Sequence, residues 1–92
     1  MIAIPLLLAG LTVSLSPQAM VRGTEITLGE IAMISGGTPE EVALVSQVHL
    51  GYAPAPGYSR LLQGGLIAQQ VRKALPGEAL LFMGSTTCRV KP

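Results

Sequence analysis

Aromatic rings, cysteine and histidine are all scarce in this 92-residue chain, which has only Tyr52, Tyr58 and Phe82 as aromatics, no tryptophan, one cysteine and one histidine. A lone cysteine rules out an internal disulfide framework. One Cys and one His also fall short of the four ligands of a structural zinc site, so no metal and no cofactor is expected. Three aromatic rings are too few to build a stacking platform for single-stranded nucleic acid. Charge gives no alternative route, because six Lys and Arg against five acidic residues leave a net charge of +1 and no basic block. No Gly-x-x-x-x-Gly-Lys or Gly-x-Gly-x-x-Gly phosphate loop is written either. What remains is a chain that is 49% hydrophobic and 12% charged. That is too apolar for disorder and long enough for one small domain with an aliphatic core.

The first fifteen residues contain no charge, and Ile2, Ile4, Leu6, Leu7 and Leu8 form a short apolar block broken by Pro5. The block matches the apolar region of a secretory signal and is shorter than the roughly 20 residues of a membrane span. Residues 1–10 are therefore expected to be the remnant of a signal peptide with cleavage near Ala9 and Gly10, and residues 11–92 the mature domain. The competing reading is a buried first strand of a cytosolic domain. Leu11, Val13 and Leu15 alternate with Thr12, Ser14 and Ser16, the period of a half-buried strand.

Further along, a strand is expected at Ile26-Thr27-Leu28, one helical turn at Gly29 to Ala32, and a break at Gly36-Gly37. Thr38-Pro39-Glu40-Glu41 writes a helix start, with an N-cap hydroxyl, proline at the first helical position and a glutamate that closes a capping box. That role accounts for Glu40 and Glu41 without acid–base chemistry. The helix is expected to reach Gln47, with Val42, Leu44 and Val45 as its apolar surface. Val48 to Leu50 and Tyr58 to Leu62 read as strands around the Pro54 and Pro56 segment. Gly64-Gly65 reads as a turn, followed by an amphipathic helix on Ile67, Val71 and Leu75 that Pro76-Gly77 stops. Ala79 to Met83 reads as a continuous apolar strand, and Thr87 to Lys91 as a last strand with Cys88 and Val90 inward. The fold class is α+β, with short antiparallel strands and two amphipathic helices.

Few side chains suggest chemistry. Cys88 with His49 is the minimum set for thiol catalysis, but Cys88 occupies an apolar strand position where a small buried hydrophobe is the simpler reading. His49, between Val48 and Leu50, is expected to face solvent. Tyr52, Tyr58 and Arg60 are the candidate protein-binding residues, since Tyr and Arg favour binding hot spots and a proline-rich turn presents them at low entropic cost.

The run Val-Arg-Gly-Thr-Glu-Ile-Thr-Leu-Gly-Glu-Ile-Ala from Val21 to Ala32 resembles the opening signature of the periplasmic chaperones that assist assembly of the flagellar basal-body P ring. In that family the motif continues from an apolar strand into Ile/Val-Thr-Leu-Gly-Asp-Ile/Leu-Ala, and Glu30 stands at the customary Asp. The segment from Ala53 to Arg60 is similar to the family's Pro-Gly-x-x-Arg stretch, and the resemblance spans residues 11–92. It implies a secreted, non-enzymatic protein that binds the flagellar P-ring subunit in the periplasm, without a membrane span in the mature form. Family members continue into a β-rich module related to the SAF fold. The expectation is thus the N-terminal domain, as a fragment or a minimal form. The alternatives are a cell-envelope glycan-binding or structural module and, more remotely, a thiol enzyme. For a binding protein, the last strand from Cys88 to Lys91 is a candidate acceptor of an added client strand, although Arg89 and Lys91 oppose such pairing.

Overall fold

The computed structural model describes residues 10–92, so the expected leader lies, Gly10 apart, outside the described residues. Eight strands and three helices follow one another as β1 (Leu11–Leu15), β2 (Gln18–Met20), β3 (Glu25–Thr27), α1 (Leu28–Ile31), β4 (Ala32–Ser35), α2 (Pro39–Ser46), β5 (His49–Tyr52), β6 (Arg60–Gln63), α3 (Gly64–Ala74), β7 (Leu80–Gly84) and β8 (Thr87–Lys91). The strands form three small sheets in the orders β4-β1-β7, β2-β8-β6 and β3-β5. This is the α+β domain expected from the sequence. Its pairing is mixed rather than wholly antiparallel, since β1 lies parallel to β7 and β2 parallel to β8.

The alternation in β1 buries Leu11, Val13 and Leu15 and leaves Thr12 and Ser14 on the other face. Burying side chains of this size stabilises by roughly 1.5–3 kcal/mol each, and β1 is the central strand of its sheet. The three residues join Ile26, Leu28, Ile31, Val45, Val71, Cys88 and Val90 in one aliphatic core. No helix among the described residues is long and apolar enough to cross a membrane.

Helix α2 starts as the sequence predicts. The Thr38 hydroxyl accepts from the Glu41 backbone N–H at 3.2 Å, and Glu41 Oε1 accepts from the Thr38 N–H at 2.8 Å. Its apolar surface is narrower than expected, because Val45 is buried while Leu44 is half exposed. A second capping box, at the start of the shorter helix α1, accounts for Thr27 and Glu30 in the Val21–Ala32 run. Glu30 Oε1 accepts from both the Thr27 N–H and the Thr27 hydroxyl at the start of α1. A Cβ at Gly29 would lie 2.9 Å from Ser46 Cβ, so the glycine lets α1 approach the end of α2. These motif residues therefore shape the fold directly.

Other elements depart from expectation. Leu28 begins α1 instead of ending a strand. Ala32–Ser35 form the unforeseen strand β4, paired antiparallel to β1. Gly64 and Gly65 are the first residues of α3 and not a turn; Gly64 N–H donates to Thr86 O at 2.7 Å, and a Cβ there would lie 3.0 Å from the same oxygen. Helix α3 turns Ile67 and Val71 to the core as their spacing predicts, with Ala68 beside them, while Leu75 is its half-buried C-cap.

Candidate protein-binding site

The three residues singled out in the sequence are all on the surface, but they divide between two places. Tyr52 ends β5 and is 70% exposed, and Tyr58 is 72% exposed. Arg60 opens β6, and its Nη1 donates to the Tyr52 backbone oxygen at 2.9 Å. The guanidinium rests against Gly51, whose φ is +130°, and a Cβ on Gly51 would come within 2.8 Å of Nη1. Tyr52 and Arg60 are thus brought together through the backbone. Tyr58 follows the turn from Ala55, in which its N–H donates to Ala55 O at 3.0 Å and Gly57 has a φ of +86°. Proline then glycine at the two central positions suits a type II turn. This turn carries Tyr58 to a separate cleft beside Met20, Ser59 and Lys91.

His49 faces solvent as expected, and it has a partner that the sequence concealed. Its Nε2 lies 2.6 Å from Glu25 Oε1, across the β3-β5 pair. A register shift between Ile26 and Thr27 places Thr27 opposite His49 and Glu25 opposite Tyr52, so plain strand alternation would not reveal the contact. Cys88 is fully enclosed in the core, and burial raises its thiol pKa above the ordinary value. An enclosed thiol with a raised pKa is the opposite of the exposed, readily ionised thiol that nucleophilic catalysis uses.

The expectation that the last strand accepts a client strand is overturned by topology. Strand β8 lies between β2 and β6 with both edges occupied, and its Cys88 and Val90 are core residues. Among the described residues, the open edge that matters is β7, which has β1 on one side only.

Cross-strand register fixes the outward face of that sheet. Thr12 lies between Ser35 and Leu81, and Ser14 between Met33 and Met83. Directly opposed residues share a face, so Met33, Leu81 and Met83 stand in a field of Ser and Thr with no charge on any strand of the sheet. They are 74%, 60% and 54% exposed. Ala79 to Met83 is therefore not a fully buried run. Leu80 and Phe82 turn inward while Leu81 and Met83 turn out.

Beneath the β7 edge a cleft of about 350 Å³ opens toward α3, with Val13, Leu15, Ile67, Ala68 and Phe82 among its lining residues. The Arg72 guanidinium lies 4.9 Å from the centre of the Phe82 ring, a cation–π contact at the rim. Edge, outward apolar row and inward cleft thus occur on the same strand. The sequence signal was the alternation hidden within Leu80-Leu81-Phe82-Met83, which is apolar at every position.

No protein-family model matches the chain, and no curated protein matches it. Its fold is similar to the crystal structure of a functionally unknown protein from Eubacterium ventriosum ATCC 27560, with a TM-score of 0.73 at 12% identity over 89% of this chain and 94% of that one. At that identity the likeness is one of fold.

Proposed function

We propose that this chain is a non-enzymatic, protein-binding assembly factor that takes an extended client segment onto the free edge of β7. The observation that carries the reading is the coincidence of an edge unpaired among the described residues, an uncharged outward face bearing Met33, Leu81 and Met83, and an apolar cleft under the same strand. A client strand added there gains main-chain hydrogen bonds. Its alternate side chains extend the Leu81 and Met83 row on one face and enter the cleft on the other. Methionine suits such a surface because its flexible, polarizable side chain adapts to different partners. Exposed apolar patches of this kind mark interaction sites on small proteins.

The client in this proposal is the flagellar P-ring subunit, met in the periplasm. Support for that identity comes from the sequence resemblance of Val21 to Ala32 and Ala53 to Arg60, and for export from the uncharged apolar residues 1–10. Tyr52 and Arg60 supply a second, more polar contact.

The test mixes purified chain with the P-ring subunit and reads complex formation by gel filtration and calorimetry, with Leu81→Lys/Met83→Lys as the edge variant. A complex that the variant weakens at least tenfold supports the proposal. Absence of a complex, or equal binding by the variant, overturns it. Co-sedimentation with peptidoglycan in place of client binding transfers the function to the glycan-binding class.

A further inference from the structure

The sheet β2-β8-β6 has an outward face of a different character. Register places Gln18, Arg89 and Leu61 in one row, with Met20 and Lys91 in the next. Ser59 and Tyr58, just before β6, extend that face. Arg89 Nη1 donates to Ser59 Oγ at 3.0 Å, and Met20, Tyr58, Ser59 and Lys91 help line a cleft of about 360 Å³.

Two cations therefore stand two residues apart on one face of a central strand, beside exposed Met20, Leu61 and Tyr58. No acidic residue lies on any of the three strands or between Ala53 and Gln63. The glutamates are engaged or placed elsewhere. Glu25 contacts His49, Glu30 and Glu41 close capping boxes, Glu40 sits in the first turn of α2, and Glu78 lies between α3 and β7. Among the described residues, neither Arg89 nor Lys91 meets a carboxylate. Arg89 gives one N–H to a neutral hydroxyl, and a guanidinium has five to offer.

We propose that this face binds an acidic peptide segment of a protein partner in extended conformation. Alternate side chains on an extended strand are about 6.5–7 Å apart, which is also the spacing of Arg89 and Lys91 along β8. Carboxylates at positions i and i+2 of the peptide meet the two cations, and a neighbouring apolar side chain enters the cleft between Met20 and Tyr58. A single tyrosine at the cleft gives no run of stacking platforms, which favours peptide over nucleic acid. The surface lies on a different sheet from β7 and is independent of the proposed client edge.

The experiment is an NMR titration of the isotope-labelled chain with the capped peptide acetyl-Glu-Leu-Glu-Phe-Glu-amide. The same peptide with Lys for Glu and an oligothymidylate serve as competitors. The expected result is shifts confined to the amides around Met20, Tyr58, Ser59, Arg89 and Lys91. Binding weakens as salt rises, and Arg89→Gln or Lys91→Gln each weakens it about two- to fivefold. Leu81→Lys/Met83→Lys leaves the titration unchanged. Shifts located elsewhere, no shifts at all, equal binding of the lysine peptide, or tighter binding of the oligothymidylate overturn the proposal. The mapping uses the native chain, so it stands even where a variant does not fold.

Discussion

Replacing Gly51 with alanine tests the link between the backbone of β5 and the placement of Arg60. Gly51 has a φ of +130°, where L side chains are strained by about 1–2 kcal/mol. The new Cβ would also lie 2.8 Å from Arg60 Nη1 and 3.3 Å from Nη2. Because that contact is the tip of a flexible side chain, the guanidinium moves away and surrenders its 2.9 Å hydrogen bond to Tyr52 O. An exposed bond of this type contributes about 0.5–1 kcal/mol net. Gly51→Ala should therefore cost about 1.5–3 kcal/mol, or a Tm drop of roughly 6–24 °C for a domain of this size. Arg60→Ala alone should cost about 0.5–1 kcal/mol. In the double variant only the backbone strain remains to be added, so the two costs fall short of additivity by about the worth of the hydrogen bond. Urea melts of the four proteins followed by circular dichroism give the cycle. Strict additivity, or a Gly51→Ala cost below about 0.5 kcal/mol, would refute the inferred seat of Arg60.

Thr38→Ala removes one half of the α2 capping box and should destabilise by about 1 kcal/mol, measurable as a lower urea midpoint at unchanged m-value. Gly84→Ala should cost about 3 kcal/mol or more, because φ is +88° and the Cβ would meet Leu15 O at 2.6 Å and Leu15 N at 2.7 Å, both backbone atoms of the paired strand; a melt near that of the parent chain would contradict this. The Cys88 thiol should resist a water-soluble disulfide reagent in the native state and react fully in urea. Its raised pKa also has a consequence for stability. Below the ordinary thiol range both folded and unfolded states hold the proton, and the contribution is fully present. As pH rises into and above that range the unfolded chain ionises first, and the contribution declines until the folded-state value is passed. Cys88→Ala should flatten that alkaline loss, and an unchanged pH profile would assign the loss to other groups.

How far the sequence reveals these features depends on whether a signal is local. The alternation of β1, the capping box at Thr38 and the four-residue spacing of Ile67 and Val71 each follow from near neighbours, and each was legible. Pairing partners were not, because parallel pairing of β1 with β7 depends on contacts between distant stretches. Missing that arrangement made Cys88 to Lys91 look like an available edge and left the two faces of the apolar run Ala79 to Met83 undistinguished. The same limit hid the Glu25–His49 contact, which exists only after a register shift brings the two strands into phase. Within the candidate site, Tyr52 and Arg60 were legible from composition and turn chemistry. Leu81 and Met83 were not, since an all-apolar run gives no sign of which side chains face outward.

The two parallel pairings carry a consequence for biosynthesis. β1 and β2, the first described strands, run alongside β7 and β8, the last, and β8 is also the sole common neighbour of β2 and β6. Until β7 and β8 have emerged from the ribosome, β1 has only β4 beside it, and Val21 lacks the Lys91 carbonyl to which its N–H donates. Pairings between distant stretches are also slow to form, because the loop must close before any contact rewards it. Newly made copies therefore spend a comparatively long interval with aliphatic strands uncovered. A fold built this way gains from a holding chaperone until β7 and β8 have paired.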